Sequence, residues 1–108
     1  MKQRRIRCLG IALAVAGVIG TAQAAGDEGA GKLKADTCLG CHGVPTYGNV
    51  YPSYHVPKVA GQHADYIVAA LKAYKTGERT HLTMRAQAAK LTDEDMNDIA
   101  AYFAAAGQ

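Results

Sequence analysis

Two cysteines three positions apart, with a histidine directly behind the second, constrain this chain more than any other feature: Cys38-Leu39-Gly40-Cys41-His42. Cys-x-x-Cys-His is the signal for covalent attachment of a c-type haem. The spacing has a mechanical reason. Two thiols held close together can each add to one vinyl group of the macrocycle, and the adjoining imidazole can then meet the iron from the same side. Gly40, lacking a side chain, lets the backbone lie against a flat group. Competing uses of such a pair need a context that is missing: a thioredoxin-like redox pair sits in an α/β pattern, and structural zinc takes four ligands.

The amino-terminal stretch reads as an export signal. Lys2, Arg4, Arg5 and Arg7 form a basic head, Leu9 to Gly20 an apolar middle, and Ala22-Gln23-Ala24 a small-x-small cleavage pattern. The apolar run falls well short of the ~20 residues that cross a bilayer as a helix. Residues 1–24 are therefore expected to be a secretory signal peptide and 25–108 a single exported domain, placed in the periplasm. Cys8 would leave with the signal, so the two motif cysteines stand alone and close no long loop of the kind a disulfide framework uses.

Charge is reinterpreted once the leader is set aside. The whole chain has 12 Lys and Arg against 9 Asp and Glu. Four of those cations lie in the leader, so the domain's remaining cations are outnumbered by its acids. The basic precursor is thus no argument for nucleic acid as a partner.

A domain this small, with one Phe and no Trp, has little apolar bulk of its own. A helix from Gly31 to Thr37 is expected to lead into the motif. Gly43 to Gly61 holds all three prolines and shows neither helical nor alternating period, which reads as a long loop. Tyr66, Ile67, Ala70, Leu71 and Tyr74 then repeat at helical spacing within Gln62–Thr76, and Gly77 ends the run. Arg79 to Lys90 is ambiguous, with a helical turn near Met84. Thr92 and Asp95 make a capping pattern in front of Met96, Ile99, Ala100 and Phe103, and Gly107 is placed to close that helix. Nothing reads as a strand pair.

A six-coordinate iron needs a second protein ligand, and the candidates are Met84, Met96, His55, His63 and His81. Met96 belongs to the apolar stripe of the last helix, and His63 opens a helix beside Gln62. Met84 is favoured because it sits in a segment without helical apolar partners, with His81 or His55 as replacements.

The chain resembles the class I c-type cytochromes, particularly the small bacterial periplasmic kind whose domain also occurs as a tandem two-haem form. The resemblance is carried by Cys38-x-x-Cys41-His42-Gly43, by Pro57-Lys58-Val59-Ala60-Gly61-Gln62 ahead of a helix, by Met84, and by Leu91 to Asp95 leading to Ile99-Ala100-Ala101-Tyr102-Phe103. It implies an all-α cytochrome c fold, three to four short helices wrapped around one covalently bound haem c. It also implies that Cys38 and Cys41 attach the haem, that His42 and Met84 ligate the iron, and that the Pro57 carbonyl accepts from the free nitrogen of His42. The first and last helices should cross near Tyr102. A cavity lined by His42, Pro57 and Met84 is the expected trace of the site. The Tyr-rich stretch Tyr47 to His55 matches nothing in the family pattern.

With both axial positions filled by protein, the chemistry left to iron is gain and loss of one electron. The expected function is a monomeric periplasmic electron carrier rather than an enzyme. It would serve redox partner proteins, a membrane-bound oxidase or reductase among them, through weak and partly electrostatic docking. Lys58, Lys72, Lys75, Arg79, Arg85 and Lys90 are the cations available for that. Two alternatives follow from the same motif: a haem subunit held on a periplasmic dehydrogenase, and a small haem enzyme or sensor with an open sixth position.

Overall fold

In the computed structural model, which describes residues 25–107, the chain runs through five helices and one short hairpin. The leader assigned to residues 1–24 lies outside the described residues. Asp27 caps helix α1 (Glu28–Lys34) by accepting from the Ala30 amide at 2.6 Å, and Lys32 and Lys34 complement the dipole at its far end. The chain breaks at Ala35 and at once begins a second helix, α2 (Asp36–His42). The expected single helix ahead of the motif is thus two, and the second of them carries the motif.

Residues 43–61 contain a strand pair, where none was expected. Strand β1 (Gly48–Val50) pairs antiparallel with β2 (Ser53–His55), Val50 opposite Ser53, across a Tyr51-Pro52 turn. Asn49 closes the turn by donating to the Pro52 carbonyl at 2.7 Å. Strands of three residues are too short to display an alternating pattern, so the pairing leaves no periodic signal.

Helix α3 (Ala64–Thr76) buries Ile67 and Leu71 and stops at Gly77, whose φ of +88° is the left-handed conformation glycine adopts without penalty. Helix α4 (Leu82–Ala88) begins two residues before Met84, with His81 as its cap. The helical turn expected near Met84 is thus a complete short helix with Met84 in its first turn. Helix α5 (Asp93–Ala105) starts with a full capping box: the Thr92 hydroxyl accepts from the Asp95 amide at 3.1 Å, and the Asp95 carboxylate accepts from the Thr92 amide at 2.9 Å. Gly107 does not close α5 in a left-handed turn, as was expected. Ala106 ends the helix in right-handed geometry, and Gly107 instead presses on Gly61, where a Cβ would stand 2.1 Å from the Gly61 Cα.

Helix α1 crosses α5 backbone to backbone. A Cβ on Gly31 would lie 1.9 Å from the Asp98 carbonyl oxygen and 2.9 Å from the Tyr102 Cβ, so only glycine permits the approach. Lys34 reaches across the crossing to Asp98 at 2.6 Å and Asp95 at 2.9 Å, and buried Asp98 also accepts from the Asp27 amide at 2.7 Å. The core is small: Ala35, Ile67, Leu71, Ala88, Met96, Ile99, Ala100 and Phe103. Half-buried apolar groups, Cys38, Leu39, Val59, Met84 and Tyr102 among them, pack against it. No helix of the described residues is long and apolar enough to cross a membrane.

Candidate cofactor site

Helix α2 gathers the motif onto one short element. Cys38 and Cys41, at positions i and i+3, share a face, and both carry free, half-buried thiols. Burial pushes the Cys38 thiol above its ordinary value. Gly40 lies on the exposed part of the helix, where a Cβ would meet no protein atom within 4 Å. Nothing in the protein demands glycine there. Gly43 differs, because a Cβ on it would stand 2.6 Å from the Leu39 carbonyl oxygen.

His42 closes α2, and its Nδ1 lies 2.7 Å from the Pro57 carbonyl oxygen. A carbonyl can only accept, so Nδ1 carries the proton and Nε2 is left with its lone pair. That is the arrangement by which an outer hydrogen bond fixes the tautomer and orientation of a metal-binding imidazole. The segment that carries Pro57 is tied down on either side of it. The Val56 amide donates to the Tyr47 carbonyl at 2.9 Å, and the Gly61 amide donates to the Phe103 carbonyl at 2.8 Å. The close Gly61–Gly107 contact thus ties the Pro57 loop to the end of α5.

A cleft of about 480 Å³ opens beside His42, bounded by Leu39, Val44, Val56, Tyr102 and Phe103. Met84 and Pro57 do not line this cleft, so the expected cavity shared by all three is not what borders His42. Met84 is half-buried in the first turn of α4 and packs against the same core that Cys38 and Leu39 pack against. Of the other candidate ligands, Met96 is fully buried in the core as expected, His63 is the exposed cap of α3, and His55 is exposed at the end of β2. His81 is engaged at α4, where its Nδ1 accepts from the Met84 amide at a long 3.5 Å.

The donor set fits a flat macrocycle better than a single bound ion. No group of three or more His, Cys, Asp or Glu among the described residues converges on one point, as a protein metal cage would require. What α2 offers instead is two separate thiols for two covalent bonds and one imidazole with Nε2 free.

Two further features escaped the sequence. Tyr54 on β2 stands edge-on to His81, ring centroids 4.6 Å apart at 90°, joining segments whose separation along the chain carries no spacing signal. Half of the expected docking cations are also engaged inside the domain. Lys72 pairs with Asp93 at 3.4 Å, Lys75 donates to the Leu91 carbonyl, and Arg79 stacks over Tyr66 and Tyr74 while donating to the Tyr66 hydroxyl at 3.2 Å. Lys58, at the edge of the cleft, Arg85 and Lys90 remain exposed.

Comparison with known proteins bears on this arrangement. The Cytochrome c family model matches residues 27–106. Cytochrome c4 of Pseudomonas aeruginosa is 46% identical over 88 residues, covering 82% of this chain and 42% of its own length. Cytochrome c-554(548) of Halomonas halodenitrificans is 43% identical over 82 residues, covering 73% of this chain and 95% of its own. The solved structure of cytochrome c4 from Acidithiobacillus ferrooxidans superposes with a TM-score of 0.56 at 27% identity, over 73% of this chain and 50% of that one. The chain spans less than half the length of the Pseudomonas cytochrome c4 and nearly all of the Halomonas protein. The helices, the α2 motif and the family match together place this chain among the class I c-type cytochromes, similar to one half of a tandem dihaem cytochrome: it belongs to the cytochrome c family of haem electron-transfer proteins.

Proposed function

We propose that the chain is a periplasmic one-electron carrier, exported by a signal peptide at residues 1–24 and folded over residues 25–108 around a single haem c. Cys38 and Cys41 would hold the haem by two thioether bonds, and His42 and Met84 would ligate its iron. The observation that carries the reading is the 2.7 Å contact between His42 Nδ1 and the Pro57 carbonyl, which leaves Nε2 of a motif histidine free beside two thiols on the same helix. When bound, the haem would supply a one-electron iron couple, and ligation by methionine together with histidine would raise its potential. Everything else is the work of the chain: α2 fixes the macrocycle, Pro57 orients the imidazole, and the half-buried apolar groups exclude water.

Met84 is assigned from its place in the family pattern and from its half-buried position against the core. The test is the visible spectrum of the mature protein, oxidised and reduced, with and without carbon monoxide. A low-spin spectrum unmoved by the gas, with the weak long-wavelength band of sulfur bound to ferric iron, is expected. Ready uptake of the gas would replace this reading with an enzyme or sensor open at the sixth position.

A second reading draws on one relative. The cytochrome subunit of sulfide dehydrogenase from Chlorobaculum tepidum is 38% identical over 76 residues, covering 70% of this chain and 66% of its own length. A permanent haem subunit would keep the same electron-transfer chemistry but would be isolated in a stable complex. A freely diffusing carrier elutes as a monomer from native extract and leaves donor and acceptor to be found by kinetics.

A further inference from the structure

Helix α4 has seven residues and little to hold its first turn. Short helices are marginal without tertiary support. The buried residue of α4 is Ala88 at its far end, whereas Leu82 at its start is 77% exposed. Met84 stands in that weakly supported turn. Beyond the packing of half-buried Met84 against the core, three contacts reach it: His81 Nδ1 accepts from the Met84 amide at 3.5 Å, the Tyr54 ring meets the His81 ring edge-on at 4.6 Å, and the Tyr54 hydroxyl lies 3.4 Å from the Thr83 hydroxyl. Each is modest alone, two of them at the long end of hydrogen-bond range. Together they tie the first turn of α4 to the hairpin.

The hairpin is otherwise turned outward. Val50 and Tyr51 at its tip are 88% and 94% exposed, and Tyr54 is the half-buried member of β2. Three residues beyond Tyr54 the same segment presents the Pro57 carbonyl to His42. Residues 54–57 therefore touch the supports of both proposed axial ligands, one at each end.

We infer that Tyr54 and His81 are positioning residues for Met84, the Tyr-rich hairpin acting as a brace that keeps the first turn of α4, and with it the Met84 sulfur, in place. The inference rests on the reading of Met84 as axial ligand. It gives the Tyr47–His55 stretch, which has no counterpart in the family pattern, a role in the site. It also accounts for His81 not taking the place of Met84, since its ring is committed to the cap and to Tyr54.

The test uses the mature haem-loaded protein with carbon monoxide as the probe. The wild type is measured first: if it lacks the sulfur-to-iron band, the ligand reading itself fails, separately from the brace. With the band present, Tyr54→Leu is expected to weaken it and to speed carbon monoxide uptake by the ferrous form at least tenfold. Lys34→Ala, which removes the ion pairs across the distant α1/α5 crossing, serves as a control for general loss of stability and is expected to stay within twofold of wild type. Should Tyr54→Leu fail to mature, His81→Asn keeps a capping side chain on α4 while deleting the ring against Tyr54, and the same rise is expected. Uptake by either variant no faster than that of Lys34→Ala, with the band intact, overturns the inference.

Discussion

The α1/α5 crossing and the hairpin/α4 side are built on opposite principles. At the crossing, every partner is protein: Gly31 lets the backbones touch, Thr92 and Asp95 close the capping box, and Lys34 binds Asp95 and Asp98. On the other side the apolar groups are half-buried, the tip of the hairpin is exposed, and both the Tyr54–Thr83 contact that links β2 to α4 and the His81 cap of α4 are long. The first region can be specified by residue-to-residue contacts alone. The second carries the attachment motif, and on the proposed reading it is completed by a large flat partner rather than by protein contacts alone. The comparison predicts that substitutions at the crossing change stability and leave the spectrum alone, whereas substitutions around α2 change the spectrum first.

The largest effect should come from the motif. Cys38→Ala together with Cys41→Ala removes both attachment points, and the haem should become extractable under denaturing conditions. Mass spectrometry of the denatured protein checks this directly, and a variant that still carries haem through denaturation would break the proposed chemistry. Next in size is Gly31→Ala. Its Cβ would have to occupy space 1.9 Å from the Asp98 carbonyl oxygen, which is backbone and cannot swing aside. Forced overpacking of this kind costs about 3 kcal/mol, and chemical denaturation should register it while the sulfur-to-iron band persists. Loss of the band in Gly31→Ala would mean that the two regions are not separable.

The crossing was also the more legible of the two in the sequence, for the same physical reason. Thr92-x-x-Asp95 and the spacing of Met96, Ile99 and Phe103 are local signals, and α5 follows them closely. Gly77 ends α3 as the pattern required. The motif at Cys38, Cys41 and His42 could be read directly, and the Pro57 carbonyl could be placed through family resemblance. What could not be read is what depends on contacts between distant segments. The hairpin strands are three residues long and carry no period, the Tyr54–His81 contact joins β2 to the cap of α4, and the Gly61–Gly107 approach recruits a glycine that looked like an ordinary helix stop. Met84 lay in a segment that looked irregular because a seven-residue helix buries too little to show a face.

Acid should loosen the crossing next. The Thr92 amide and Lys34 hold the Asp95 carboxyl down at about 2, against an ordinary 3.8. Lys34, with help from the Asp27 amide, also holds Asp98 below that value. A carboxylate depressed in the folded state takes up its proton more readily when unfolded, so its contribution is complete above about pH 4 and is lost as the pH falls toward 2. The denaturation midpoint should therefore drop across that window. Lys34→Met should lower the midpoint at neutral pH and flatten the drop, acting mainly through Asp98, because the Thr92 amide remains to hold Asp95. Lys34 itself is raised by the same partners, chiefly Asp98, so the pair's contribution also fades at strongly alkaline pH.

The smallest effect separates cap from ion pair within the same corner. Thr92→Ala deletes the hydroxyl that accepts from the Asp95 amide at 3.1 Å but leaves the Thr92 position's own amide to donate to the Asp95 carboxylate. Loss of such a cap costs about 1 kcal/mol. Because the leading cause of the low Asp95 value is that backbone amide rather than the hydroxyl, the variant should be uniformly less stable while keeping most of the wild-type drop between pH 4 and 2. Stability profiles of Thr92→Ala and Lys34→Met measured side by side would then differ in shape, one displaced and the other flattened. Two parallel curves would show that the capping box and the Lys34 pairs act as one unit, and that α1 docks on α5 only when both are formed.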